Sequence, residues 1–338
     1  EAHYSEMISQ EHRPDDRYMA IYADALNRYA DRIAKDVAAL AHAIVVEIGQ
    51  GRLASQITLC SLVRAGVPYG VLLRRALALL GVDVAHFGVS IIRDRGLDHH
   101  AMMYAQRARP ASDIVFVDGW TGKGAISKDL TAAWKAMSGK DALLVVLADP
   151  SGHAWLSASH DDWLIPSGIL GANISGLISR SILTPDLSAA IDAVDQGSNA
   201  IQGYGHEIGP FHGAMTVGDL ADMDCSQEFV DHITVRLHDA LKTCGPARGQ
   251  KSAYLRAQAA ACVGAIARRY DVTNLNRIKP GIAEATRAVL RRRPHKVFLR
   301  DADDPDLAAL VYLCRQNGIA MEIDSSVTAP YRAITLIE

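Results

Sequence analysis

Four short apolar runs punctuate the first half of this chain: QITLCSLV at 56–63, VDVAHFGVSII at 82–92, IVFVD at 114–118 and ALLVVLAD at 142–149. Their apolar content is nearly continuous, so each reads as a strand buried on both faces. Segments with helical spacing lie between them. That succession predicts an α/β fold built on a doubly wound, mostly parallel sheet with helices on both sides. Ligands of such sheets collect at the carboxyl ends of the strands, so a site is expected in the loops that follow the runs.

Ahead of the first run, Met19, Tyr22, Leu26, Tyr29, Ile33 and Val37 recur at helical spacing, which predicts one or two helices over 17–48. A tight Arg64-Ala65-Gly66 turn leads into a helix from Val67 to Leu80 that Gly81 ends. After the second run, RDRGLDHH reads as a polar loop. Over 122–137, Ile126, Leu130, Trp134 and Met137 share one helical face. Residues 151–275 carry weaker patterns, with helices expected near 226–243 and 250–270. From Asn276 the pattern sharpens into helix (282–293), strand (296–300), helix (305–317) and strand (320–323), and AITLIE forms a last strand. A boundary near 275 therefore divides a large domain, 1–275, from a small C-terminal α/β domain, 276–338.

The loop Asp118-Gly119-Trp120-Thr121-Gly122-Lys123-Gly124 is the densest candidate site. It is not a Walker A loop: two residues rather than four separate the first glycine from Gly-Lys, and Gly124 stands where Ser or Thr belongs. Its glycines still let backbone N–H groups approach an anion, and the helix behind presents its positive end. Thr121 adds a hydroxyl and Lys123 a charge. Asp118 suits sugar hydroxyls or a hydrated Mg²⁺. An acid for a sugar and a small-residue nest for its phosphate together describe a phosphoribosyl group; the alternative is a plain strand–helix turn with an exposed lysine. In SLVRAGVPYG, Arg64, Ala65 and Gly66 are placed for a second anionic group such as pyrophosphate. Arg93 and Arg95 sit on a loop able to close over a polyanion, or on a solvated turn.

The order of these three loops resembles that of type I phosphoribosyltransferases. More narrowly, HYSEM, SIIRDRGLD, FVDGWTGKGAI, LIPSGILGANISGLISRS, FHGA and KPGIAEATR are similar, over nearly the whole chain, to one bacterial family. It is the phosphoribosyltransferase-like StiP family of tellurium-resistance and stress operons. The resemblance implies transfer of a phosphoribosyl group from phosphoribosyl pyrophosphate, with Mg²⁺, to an acceptor in a nucleoside-like pathway. Pyrophosphate would leave through an oxocarbenium-like state stabilised by Mg²⁺, Arg64, Arg93 and Arg95, with Asp118 at the ribose. The acceptor would lie beyond the fourth strand, where Asp149, Ser151, Ser175, Ser179 and Arg180 are candidates; turn formation and helix packing are their alternatives. The sequence departs from the transferase pattern in one acid, because Gly119 stands where a second carboxylate is usual.

The C-terminal piece is electrostatically divided. Residues 277–300 hold eight cationic residues against Glu284 alone, a net +7, while residues 301–338 carry −5. A basic helix of this kind can track a phosphate backbone or simply face solvent. KPGIAEATRAVLRRRPHKVFLRDADDPDLAALVYLCRQNGI also resembles the Pelota-type RNA-binding domain. That resemblance implies RNA contact through Lys279, Gly281, Glu284, Arg287 and Arg291.

Two further readings remain. One is a non-catalytic adaptor that keeps the phosphoribosyl pocket and binds RNA. The other takes literally the protease label attached to the family and pairs Cys225 with His212 as thiolate and imidazole. A net charge of −3 argues against a general polyanion binder, and the five cysteines form no C-x-x-C pair, so neither a disulfide framework nor a zinc site is expected. A reducing cytoplasm is the simplest home. The most apolar stretch, Ala76 to Ile92, contains Asp83 and His86, which speaks against a membrane span. Because the first residue is Glu1, the numbering is expected to begin inside a longer native chain, and no signal peptide is read. A homodimer is the expectation from the fold class.

Overall fold

The structure is a computed structural model that describes residues 13–92, 96–170, 174, 179–182, 212–216, 221–292, 294–324, 327 and 329–338. The expected N-terminal helical segment is one helix, α1 (Asp16–Gly49), 34 residues long. Asp15 caps it by accepting a hydrogen bond from Tyr18 N at 2.7 Å. Its buried stripe of Tyr18, Tyr22, Leu26, Ile33, Val37 and Ile44 lies along the large core.

The sheet follows in the expected rhythm: β1 (Gln56–Leu62), α2 (Val67–Leu79) and β2 (Asp83–Val89). Past β2 the chain makes a small hairpin, β3 (Ile91–Ile92) with β4 (Gly96–Leu97), and a helix, α3 (His99–Ala108), where the sequence suggested only a loop. Asp98 caps α3 through His100 N and Ala101 N, both at 3.0 Å. Then come β5 (Asp113–Val117), α4 (Ala125–Ser138), β6 (Leu144–Ala148), β7 (Leu156–Ser159) and a short α5 (Ser167–Leu170). A second hairpin pairs β8 (Ser179–Ile182) with β9 (Gly213–Thr216). The long α6 (Ser226–Thr243) and β10 (Gly249–Gln250) complete the large unit.

The main sheet has the order β10-β7-β6-β5-β1-β2. Its five strands from β7 to β2 are parallel, and β10 joins β7 antiparallel. Alternate residues divide between two cores, as the two-residue repeat of a strand requires. Ile57, Leu59, Val115, Val117, Val145 and Leu147 join α1, α2 and α6 on one face. Cys60, Leu62, Ile114, Phe116, Leu144 and Val146 meet α3 and α4 on the other. Helices on both faces are what continuous apolar strands demand.

The C-terminal unit comprises α7 (Ala253–Arg269), β11 (Ile278–Pro280), α8 (Ile282–Arg291), β12 (Pro294–Leu299), α9 (Ala308–Gln316), β13 (Met321–Ile323) and β14 (Ala333–Ile337). Its sheet runs β11-β14-β12-β13, antiparallel apart from the parallel β12–β13 pair. Ala259, Cys262, Val263 and Ile266 of α7 share a core with Ile278, Phe298, Tyr331 and Ile334. Helix α7 thus packs with the small sheet, ahead of the boundary expected at 275.

The two units meet over a polar and apolar seam. Buried Asp162 accepts from Ile282 N at 2.9 Å and Arg332 N at 2.7 Å. Asp306 of the small unit accepts from Tyr29 Oη of α1 and from Leu164 N. Helix α8 is buried on most sides: Ile282, Ala283, Ala285, Thr286, Ala288 and Val289 are all covered. No helix among the described residues is long and apolar enough to cross a membrane.

Candidate functional site between the two units

The loops at the carboxyl ends of β1 and β5 are shaped by close backbone approach. After β1, Gly66 N donates to Leu62 O at 2.9 Å, and a Cβ at Gly66 would collide with the carbonyl oxygen of Val117. Only glycine lets this turn lie against β5. The Val63–Arg64 peptide within it is cis. Pro68 then opens α2, as expected. After β5 the chain runs on beside β6: Asp118 N donates to Val145 O and Thr121 N to Ala148 O, each at 3.0 Å. Gly124 has φ +80°, and the imidazole of His153 fills the place of its missing side chain. Helix α4 begins there with no side-chain cap.

These loops wall a cavity of about 170 Å³, whose opposite wall comes from the C-terminal unit. Arg64, Ala65, Asp118, Trp120, Thr121, Gly122, Lys123 and Gly124 line it together with Lys279, Glu284 and Arg287. The structure therefore joins two sets of residues that the sequence suggested as separate sites. Gly66 and Gly119 lie buried beside them and do not line the cavity. Glu284 closes on the loop: a Cβ at Gly122 would stand 2.9 Å from Glu284 Cγ.

Asp118 lies deep among protein atoms but keeps a face open to the cavity. Burial pushes its carboxyl up to about 7 and Glu284 adds to the rise, while the Gly119 N–H and then Arg287 pull it down. Its Oδ1 accepts from Gly119 N at 2.8 Å. Lys123, expected to hold a phosphate, reaches across the seam instead: Nζ donates to Leu275 O at 2.5 Å and Ile278 O at 3.3 Å. Tyr331 Oη ties the same loop to the small unit by donating to Gly122 O at 3.1 Å.

Of the residues suggested for an acceptor, Asp149 and Ser151 have their contacts within the described structure, and these lie inside their own loop and at Thr121. Asp149 is fully buried and accepts from Thr121 Oγ1, His153 N (3.0 Å) and Ala154 N (2.8 Å). Ser151, also fully buried, hydrogen-bonds Thr121 Oγ1 at 2.8 Å and His153 Nδ1 at 3.0 Å. They hold the 149–154 loop to Thr121. Ser175, Arg93 and Arg95 lie outside the described residues, and Ser179 and Arg180 form the start of β8, their side chains outside the description. In the small unit, Gly281 is buried at the seam, its N–H donating to Ala333 O at 2.8 Å, and Arg291 is half-buried in the last turn of α8. Sequence reasoning missed Ser127 and Ile126 in the first turn of α4, which also line the cavity. Their position one turn past Gly124 was the available signal. It missed Asp162 entirely, since no motif surrounds that residue.

Among the described residues, no cluster of three or more His, Cys, Asp or Glu side chains could hold a metal. The cavity wall offers two carboxylates, Asp118 and Glu284, amid four cationic side chains. Such a wall favours an anion over a cation, so its residues do not fit a resident Mg²⁺.

All five cysteines are free. Cys60, Cys262 and Cys314 are buried, and burial pushes each thiol up to about 12. Cys225 and Cys244 are half-buried. Cys225 immediately precedes α6; burial raises its thiol, and Glu228 and Asp224 raise it further. His212 hydrogen-bonds Ser90 through Nδ1 at 2.9 Å, and its backbone N donates to Asp98 at 2.8 Å. Cys225, by contrast, lies against Met223 O, near Tyr22 of α1. The suggested Cys225–His212 pair therefore has its two members in different surroundings.

The chain is thus a two-part protein, a five-stranded parallel α/β unit closed by a small α/β unit over a polar cavity. Residues 1–234 match the family described as tellurite-like stress resistance cysteine protease StiP, and residues 257–338 match the PELOTA RNA binding domain. A relative from Acinetobacter baylyi, named cysteine protease StiP, is 43% identical over 343 residues, spanning 100% of this chain and 85% of its own length. The chain belongs to the StiP family. Among solved structures, a hypoxanthine phosphoribosyltransferase of Trypanosoma cruzi is 13% identical, with a TM-score of 0.29 over 40% of this chain and 81% of its own. An asparagine mutant from a study of an invariant aspartic acid in such enzymes has a TM-score of 0.28 at 13% identity, over 40% of this chain and 79% of its own. Scores of that size leave the likeness too weak to bear on activity.

These matches correct the expectation of phosphoribosyl transfer. The family and the full-length relative are both described as cysteine proteases, and the stress-resistance association stands. The enzyme class drawn from the glycine-rich loops, with phosphoribosyl pyrophosphate as donor, is therefore set aside. Loops of that shape suit anions in general and do not by themselves specify a reaction.

Proposed function

We propose that this protein hydrolyses peptide bonds through a cysteine thiolate, the activity named for its Acinetobacter relative. The observation that carries the reading is 43% identity along the whole of this chain. The environments of the thiols narrow the nucleophile. At neutral pH a buried thiol pushed up to about 12, as at Cys60, Cys262 and Cys314, is almost wholly protonated and out of reach of a peptide. Cys225 and Cys244 remain. Ahead of the 18-residue α6, Cys225 gains from the helix's positive end, but Asp224 and Glu228 oppose its ionisation. A base that takes its proton as substrate binds is therefore part of the reading. Five unpaired thiols fit a reducing compartment such as the cytoplasm. We also read the parallel sheet as doubly wound, because its two faces carry separate cores.

The test is hydrolysis of a casein substrate by the purified full chain, before and after iodoacetamide. Alkylation should abolish turnover, and either Cys225→Ser or Cys244→Ser should lower kcat by about a thousandfold or more. Turnover that survives alkylation, or survives in both single variants, rules out a nucleophile at these positions.

A further inference from the structure

The main sheet has two edges, and they are finished differently. One is β10, two residues long, and the small sheet likewise ends in three-residue strands, β11 and β13. Strands that short offer little to a passing chain. The other edge is β2, Asp83–Val89, seven residues bonded to β1 in an unbroken parallel register. It holds no proline, no lysine and no bulge, the devices that blunt a natural edge. Every residue of it except Val89 is exposed or half-buried.

The backbone pattern fixes which groups are on offer. Val89 O accepts from Val63 N, just past β1, at 3.1 Å, so Val89 faces β1. By the alternation of a parallel ladder Asp83, Ala85 and Phe87 face β1 too, and Val84, His86 and Gly88 turn their N–H and C=O groups outward. That outward row is bounded at both ends: Val82 N donates to Leu77 O at 3.0 Å, and Ser90 O accepts from Asp98 N at 2.9 Å. A two-fold axis at His86 sets Val84 opposite Gly88 of a second copy and His86 opposite its twin. It is the register that uses every outward group.

The side chains suit the same register. Val84 would lie over the bare Gly88, and on the other face Ala85 would meet Phe87. Asp83 is already paired with Arg109 at 2.6 Å. Burial, and then Arg74, hold the pKa of His86 down at about 4, so its ring is neutral at pH 7 and no like charges meet. Exposed apolar side chains flank the strand: Leu79 of α2, and Tyr104 of α3, whose ring stands edge-on to Phe87 with centroids 6.1 Å apart.

We propose that β2 is an interface between two copies of this chain, pairing antiparallel about a two-fold axis at His86 so that the two main sheets join. The occupant is a second copy because the strand complements itself in hydrogen-bond register, side-chain size and charge. The area is sufficient: a strip about 23 Å long and three layers of about 10 Å deep gives roughly 700 Å² per copy, close to the ~800 Å² per partner of a standard interface. The interface does not depend on the thiol reaction, and its test does not use proteolysis.

Sedimentation equilibrium of the full chain from about 1 to about 100 µM tests the proposal, and a dimer is expected. Val84→Pro removes one outward N–H per copy and no bond within the sheet, and it should weaken the dimer about tenfold or more. Tyr104→Glu, on the exposed side of α3, should weaken it as well, and decides the matter should the proline variant fail to fold. Tyr254→Glu, on the exposed side of α7, should change nothing. His86→Cys reports the register. Twin Cα atoms in a hydrogen-bonded antiparallel pair stand about 5.5 Å apart, within disulfide reach, so mild oxidation should link two copies beyond what the parent chain shows. A chain still monomeric at about 100 µM overturns the proposal. So does a dimer that the folded variants at 84 and 104 leave intact, or one in which His86→Cys forms no added link.

Discussion

Asp118 and Asp149 hold equivalent places, each the first residue beyond a central parallel strand, β5 and β6, and each is enclosed by protein. Their surroundings differ. Asp149 accepts from two backbone N–H groups and the Thr121 hydroxyl, which occupy its oxygens within the loop. Asp118 accepts from Gly119 N and turns toward a cavity shared with Arg287 and Glu284. A buried carboxylate supplied with donors maintains a fold, whereas one left facing a cavity is placed for a ligand and strains its own ionisation. Position in the sheet is the same; the number of donors separates the roles.

The contrast can be broken most severely at Asp149. Replacing it with alanine leaves His153 N, Ala154 N and the Thr121 hydroxyl without their acceptor, and the expected cost is about 3–5 kcal/mol in urea unfolding. A loss below about 1 kcal/mol would place the loop's support elsewhere.

Asp118→Asn should act in the opposite direction. The folded carboxyl is raised from 3.8 to about 7, so the folded state favours the protonated form. Its contribution to stability is full below about pH 4 and is lost as pH rises through about 7. The asparagine variant avoids that ionisation and should be more stable than the parent at pH 8 by roughly 1–3 kcal/mol, after allowance for solvent reaching the cavity. The difference should close as the pH falls toward 4 in a series of thermal melts. A gap independent of pH would mean that Asp118 titrates normally.

The smallest expected effect is at Lys123, whose ammonium is hydrogen-bonded to Leu275 O and Ile278 O. Lys123→Met should keep the side-chain length and cost about 1 kcal/mol, read by calorimetry as a small fall in Tm. No change would show those carbonyls equally well served by water.

The sheet was legible because a strand buried on both faces must be apolar throughout, as VVLA and IVFV are. Helix α3 was not, since HHAMMYAQRA buries only Met102 and Ala105 and presents no stripe. Strand β7, LSAS, has one leucine followed by three small residues with little β signal. Helix α7 was found but grouped with the larger unit, because its alanine-rich face does not announce which core it enters. The glycines that marked the loops were read as room for an anion, whereas in the structure Gly66 lies against Val117 O and Gly124 against the His153 ring. That Lys123 would serve the seam and that Glu284 and Arg287 would complete the wall could not be read, because both depend on how two units pack. Chemistry was least legible: neither Cys225 nor Cys244 sits in a nucleophile motif, and an anion-shaped loop is compatible with many reactions.

The burial of α8 carries a consequence for how such a protein changes over generations. A Cβ at Gly168 would stand 3.3 Å from Ala283 Cβ, closer than ordinary van der Waals contact, and one at Gly122 would stand 2.9 Å from Glu284 Cγ, so that the Glu284 side chain would have to shift. A larger residue at any of these positions forces a compensating change in the other unit. The C-terminal module therefore cannot be exchanged, trimmed or borrowed as a cassette without a matching revision of its host, and the two halves inherit as one.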